Sequence, residues 1–314
     1  MTGYSPRTAG TVDSVTRPFL KWAGGKRQLL NTYDASLPEA LKAGDVPVYG
    51  EPFLGGGAVF FFIAQRYGVA HARLSDANPE LILTYRVVQR DVDRLIELLA
   101  EHAEEYAGLA ENDREKFYYR MREGYNARRH VAHAEGYPPG WVRRAAEMIF
   151  LNRTCFNGLF RLNRRGEFNV PWGRYKNPRI LDDVNLRNAS RLLQDAEIIA
   201  ADFEATCATL CEGAFVYLDP PYRPISSSSS FTAYSKDAFG DAEQIRLATL
   251  FRRLHDNGVS LMLSNSDPKN KDTTDCFFDD LYRGFTIRRV LASRMINSKA
   301  DRRGAITELL ITNY

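Results

Sequence analysis

The chain has 314 residues, 44 % of them hydrophobic, enough to bury a sizeable core, and its net charge is only +3. Residues 1–17 are polar, without the apolar run of a signal peptide, and no apolar stretch approaches bilayer-spanning length, so a soluble, cytoplasmic protein with no membrane partner is expected. Cys155, Cys207, Cys211 and Cys276 are spaced too irregularly for a disulfide framework, and Cys207 and Cys211 have no histidine nearby to complete a zinc site; buried free thiols and no metal are expected.

In chain order, short β-type runs at 48–54, 72–76, 197–202, 214–219 and 259–264 end in acidic, Gly or Pro residues and lead into helical periodicity, the pattern of an α/β protein with a largely parallel sheet. Runs at 284–291 and 305–314 lie too close together for a crossover helix and are predicted as an antiparallel edge pair. Between the second and third strands the spacing predicts helices over 79–103, 113–130 and 141–152, a helical insertion into the sheet domain. The expected division is therefore a sheet domain of residues 13–79 and 182–314 carrying an insertion of residues 80–181. The serine run 226–230 is expected to be a mobile loop beside the carboxyl ends of the strands. His255, on an amphipathic helix, is expected at the surface.

Charge is unevenly spread. Residues 112–191 hold 17 Lys or Arg against 8 Asp or Glu, a surplus of nine in a chain whose total is +3, so the rest is acidic. A block of that kind suits a polyanion, although a solvated arginine-rich helical surface has the same composition.

The first strand runs into Glu51-Pro52-Phe53-Leu54-Gly55-Gly56-Gly57, which puts glycines where a parallel strand turns into a helix and lets a ligand approach the backbone. The spacing is neither the dinucleotide G-x-G-x-x-G nor a phosphate loop. Asp76, at the next strand tip about twenty residues on, is placed for ribose hydroxyls, with a plain helix-capping aspartate as the alternative. In Phe215-Val216-Tyr217-Leu218-Asp219-Pro220-Pro221-Tyr222 an apolar strand ends in a carboxylate, two stiffening prolines and an aromatic ring. The bland alternative is a rigid turn. An exocyclic amino nitrogen is a poor nucleophile because its lone pair is delocalised into the ring. Asp219 and the Pro220 carbonyl are suited to hold its hydrogens, with Tyr222 stacking on the base.

These motifs, with Pro18-Phe19-Leu20-Lys21-Trp22-Ala23-Gly24-Gly25-Lys26 and the stretch Leu151-Asn152-Arg153-Thr154-Cys155-Phe156-Asn157-Gly158-Leu159-Phe160-Arg161 that continues to Tyr175, resemble the Dam-type DNA adenine methyltransferases, whose bacterial members act on GATC. The resemblance runs from about Arg17 to the C-terminus. It implies a class I, Rossmann-like S-adenosylmethionine-dependent methyltransferase sheet with an inserted helical target-recognition domain, acting as a monomer on double-stranded DNA in the nucleoid. By the same resemblance Trp22, Lys26, Gly55, Gly57, Asp76, Asp202, Phe203 and Asp219 fall at cofactor positions, and Asp219, Pro220 and Tyr222 at catalytic ones. Lys21, Phe156, Asn157, Leu159, Arg161 and Pro171 fall at DNA positions: Arg161 and Lys21 on guanines, Leu159 and Pro171 on a thymine. Phe156 stands where a wedging tyrosine is expected; an apolar ring can fill the same gap. Arg164, Arg165, Arg174 and Lys176 are assigned to phosphates, with an ordinary basic turn as the alternative. Methylation of the cytosine amino group uses the same chemistry and stays open, as do an RNA substrate and a non-catalytic DNA-binding module. Methylation of a cytosine ring carbon needs a cysteine nucleophile, usually after proline, and no Pro-Cys pair occurs.

Overall fold

The structure, a computed structural model, describes residues 15–26, 28–133, 136–223, 239–292 and 306–314. The serine run 226–230 lies outside the described residues. Seven strands form one sheet: β1 (Tyr49–Glu51), β2 (Ala72–Asp76), β3 (Ala196–Ala200), β4 (Phe215–Leu218), β5 (Ser260–Ser266), β6 (Thr286–Ala292) and β7 (Ile306–Thr312). Their order is β3-β2-β1-β4-β5-β7-β6, with β1 to β5 parallel and β7 antiparallel to both neighbours. The sheet is the expected class I type, but β7 inserts between β5 and β6, so of the expected edge pair only β6 lies at an edge.

Strand β4 shows how the sequence makes a two-sided sheet. Its alternation sends Phe215 and Tyr217 into the core packed by α3 (Ala58–Tyr67), α4 (Pro79–Arg90) and α8 (Asp183–Leu193), and Val216 and Leu218 into the core beneath α10 (Asp241–Asp256). Strand β1 stops at Glu51 because Pro52 has no N–H to continue the ladder. The chain leaves β1 toward β2 on one side and β4 toward β5 on the other, so the crevice outside the carboxyl ends of β1 and β4 is the switch point where such sheets hold ligands.

The helix expected over 79–103 is two helices, α4 and α5 (Val92–Gly108), because Asp91 adopts φ −132°, ψ 40° between them. The apolar periodicity runs through that break and conceals it. The other two are found as α6 (Glu111–Ala127), which starts early with Glu111 and Asp113 at its positive end, and α7 (Gly140–Thr154). Helix α7 is buried along most of its length. Its Arg144 is 2 % exposed and forks onto Glu80 of α4, with Nη1 donating 2.8 Å to the Tyr125 carbonyl. Removing one partner of so buried a pair costs about 3–5 kcal/mol, which ties α7 firmly to α4, the helix that packs on β2 and β3.

Cys155 and Cys207 are buried as expected, but Cys211 and Cys276 lie in exposed loops. No metal-binding group of His, Cys, Asp or Glu occurs among the described residues, and no described helix is long and apolar enough to cross a membrane. His255 is exposed, its ring beside Asn313 and Phe285.

Candidate active site

Asp219 follows β4 directly, at the switch point. Its Oδ1 accepts a hydrogen bond from Ser264 Oγ at 2.9 Å and faces Lys26 Nζ at 3.0 Å. Both contacts fall on one oxygen, and no hydrogen bond among the described residues occupies Oδ2. The side chain is 21 % exposed, so that oxygen can be reached. Burial pushes the Asp219 carboxyl above the ordinary range, while Lys26 and Ser264 pull it back down. Desolvation works against the Lys26 cation too, but Asp219, Tyr33 and Glu308 outweigh it and hold its pKa above the usual lysine value. Glu308 of β7 reaches Lys26 Nζ at 3.5 Å. Tyr222, partly exposed, accepts from Lys26 through its hydroxyl, and the ammonium lies 4.4 Å from its ring centroid. The Pro-Pro turn is held from behind: Gln244 Nε2 donates 3.2 Å to the Pro221 carbonyl, and Asn265 Nδ2 donates 3.1 Å to Gln244 Oε1.

Across the crevice, the glycines form the turn from β1 into α3. Gly57 has φ 68°, and a Cβ there would stand 2.6 Å from the Tyr85 hydroxyl, so only glycine fits. Asp76 stitches this turn to β2, with Oδ2 accepting from Gly55 N at 3.0 Å and Oδ1 from Asn78 N at 2.9 Å. Desolvation raises its pKa against those two bonds. The helix-capping alternative for Asp76 fails, because Asn78 caps α4. Trp22 lies over Gly55 and Gly56, its ring stacked 5.5 Å from that of Phe160. Asp202 caps α9 (Phe203–Cys207) and pairs with Arg246; Phe203 is stacked on Phe53 with the Arg246 guanidinium 4.2 Å from its centroid.

Glu51, at the tip of β1, is 2 % exposed and accepts from the Tyr49 hydroxyl at 2.5 Å. Burial pushes its carboxyl up to about 8, with the Asp219 charge adding to the rise. The folded chain therefore binds this proton more tightly than the unfolded one. Stability should fall as pH rises from the ordinary glutamate value of about 4.3 to about 8. Urea midpoints across that window should show the slope, and Glu51→Gln should flatten it; an identical slope in the variant would exclude this source.

The DNA candidates gather around one hairpin that follows α7. Antiparallel bridges Cys155 to Trp172 and Leu162 to Phe168 make a hairpin out of a stretch with no strand pattern. Phe156 (50 % exposed) and Leu159 (39 %) are large apolar groups left in solvent, and Phe156 N donates 2.8 Å to the Pro171 carbonyl. Asn157 has φ 55°, and its N–H donates to the Tyr175 hydroxyl at 3.0 Å. Lys21 Nζ lies 4.6 Å from the Tyr175 ring centroid, and its side chain fills the space a Cβ on Gly158 would need. Buried Asn152 joins the two segments, bonding both Lys21 N and O and the Gly158 carbonyl.

The basic block divides in two. Arg114, Arg128, Arg143, Arg144, Arg153, Arg179 and Arg187 serve internal carboxylates or carbonyls. Arg164, Arg165, Arg174 and Lys176 are exposed and make no ion pair among the described residues. The helical surplus is thus largely structural, and the free charge sits on the hairpin.

Sequence reasoning missed Ser264, Glu308, Gln244, Asn265 and Asn152. The only available signal was for Ser264, the last residue of the strand predicted at 259–264.

Residues 22–296 match the family described as D12 class N6 adenine-specific DNA methyltransferase. The type II methyltransferase M.MjaIII of Methanocaldococcus jannaschii is 49 % identical over 299 residues, covering 95 % of this chain and 99 % of that protein. The type II methyltransferase M1.LlaDCHI of Lactococcus lactis subsp. cremoris is 38 % identical over 305 residues, with 95 % of each chain covered. The DNA adenine methylase of Haemophilus influenzae is 32 % identical over 296 residues, covering 94 % of this chain and 92 % of that one. The chain therefore belongs to the D12 class of N6 adenine-specific DNA methyltransferases.

Proposed function

We propose that this adenine-specific DNA methyltransferase uses S-adenosylmethionine and acts on GATC in duplex DNA, with the target adenine flipped out of the helix toward Asp219. The observation that carries the chemistry is the division of labour on Asp219, with Oδ1 bound by Lys26 and Ser264 and Oδ2 left for a substrate. Oδ2 and the Pro220 carbonyl accept the two amino hydrogens, which localises the nitrogen lone pair, and Tyr222 packs against the base. S-adenosylmethionine, when bound, supplies an electrophilic sulfonium methyl. The residues present fit it: a glycine turn without side chains, the Asp76 carboxylate at the next strand tip, and Trp22 over the turn. Gly55, Gly57, Asp76, Trp22 and Lys26 would hold it, with Asp202 and Phe203 bordering its adenine. Residues 80–181 are proposed as the target-recognition insertion, with its hairpin against the duplex. GATC is supported by Arg161, Leu159, Pro171 and Lys21 standing at the positions that the Dam-type resemblance assigns to those bases.

The methyl donor or its demethylated product, at 100 times its Kd, should add about 2.7 kcal/mol of stability and raise the melting temperature. Asp76→Ala should weaken that shift, because it frees Gly55 N as well as removing the carboxylate. No shift at saturation would contradict the cofactor assignment. Tritiated methyl transfer to unmethylated DNA, followed by nucleoside analysis, tests the reaction itself. The label should appear in N6-methyladenine; label in N4-methylcytosine would overturn the assignment.

A further inference from the structure

We infer that Asn169 is a specificity-determining residue that aims Arg161 at its base; the inference rests on Arg161 reading a guanine. Arg161 and Asn169 face each other across the recognition hairpin, where Asn169 N donates to the Arg161 carbonyl at 3.1 Å. The turn beyond them is stapled by Asn163, whose Oδ1 accepts from Arg165 N at 2.9 Å and Glu167 N at 3.0 Å. The backbone beneath the pair is therefore fixed.

The side chains then complete an asymmetric arrangement. Arg161 Nε donates 2.7 Å to Asn169 Oδ1, and Nη2 donates 3.3 Å to the Asn169 carbonyl. A guanidinium has five N–H donors on two usable edges, and this pairing consumes the edge shared by Nε and Nη2. The outer edge, one hydrogen from each Nη, makes no hydrogen bond among the described residues, Arg161 is exposed, and that edge has the parallel geometry that guanine O6 and N7 require. An exposed arginine without such a tether samples many rotamers and must be ordered on binding. Asn169 does that ordering beforehand. It is neutral, so it fixes the fork without cancelling the charge that a phosphate-rich partner attracts. Aspartate at the same position would hold the fork but oppose the DNA field.

The test compares methylation of GATC duplexes with duplexes in which each guanine in turn is replaced by 7-deazaguanine, which lacks N7. The readout is the ratio of kcat/KM values, from which the amount of folded enzyme cancels. Asn169→Ala should lower discrimination at the guanine read by Arg161 by about 3- to 10-fold, the order expected for loss of pre-ordering in one long side chain. Asn169→Asp, which keeps the acceptor, should retain the wild-type ratio while weakening binding to both duplexes alike. Arg161→Ala should lose discrimination at that guanine, and the double variant should be no worse than Arg161→Ala alone. Wild-type discrimination in Asn169→Ala beside a loss in Arg161→Ala would overturn the positioning role alone. So would an additive double variant, which would mean that Asn169 touches DNA independently. Unchanged discrimination in Arg161→Ala would overturn the guanine assignment, and this inference with it.

Discussion

Asp219→Ala is expected to lower methyl transfer by at least about 10²- to 10³-fold, the scale seen when one pre-placed polar group that stabilises a transition state is removed. The variant loses the acceptor that draws off an amino hydrogen. It also frees Lys26, whose ammonium then has Glu308 at 3.5 Å as its carboxylate partner. Because Glu308 and the Tyr222 hydroxyl still face Lys26 once Asp219 is gone, its buried ammonium is not left uncompensated, so the fold should survive. Circular dichroism and a melting curve near wild type would show that. Single-turnover transfer within a few-fold of wild type would remove Asp219 from the chemistry.

Arg161→Ala should change which sequences are modified more than how tightly DNA is held. A bidentate guanine contact is worth about 1–3 kcal/mol of discrimination, so sites with an altered guanine should be methylated at rates approaching those for GATC. Arg174, exposed and without an ion pair among the described residues, provides the contrast. Arg174→Ala should weaken binding to all sequences alike and reduce the salt dependence by about one unit of slope. Methylation mapping and binding at several salt concentrations separate the two outcomes. An Arg161→Ala enzyme still confined to GATC would show that the base is read elsewhere.

What the sequence discloses follows the reach of its local signals. Strand β4 is legible because an apolar run ends at an acidic tip, β2 because Ala72 and Leu74 alternate with polar residues up to Asp76, and the turn after β4 because two prolines forbid a longer strand. The break at Asp91 is not, since apolar spacing continues through it. The hairpin of residues 155–172 is held by isolated bridges and side-chain bonds, so no alternating pattern announces it. Around Asp219, Ser264 and Glu308 come from strands whose neighbours are decided by sheet order. Insertion of β7 beside β5 is what brings Glu308 to Lys26, and no local run encodes it. Asn152 looks like any polar residue on a helix until the fold places Lys21 and Gly158 against it.

The central claim is that this chain methylates adenine N6 within GATC. Genomic DNA free of methylation, treated with the purified protein and S-adenosylmethionine, can be sequenced by a long-read method that registers modified bases at each position. The account predicts N6-methyladenine at GATC on both strands and little elsewhere. Modification confined to a different sequence, or absent altogether, would contradict it.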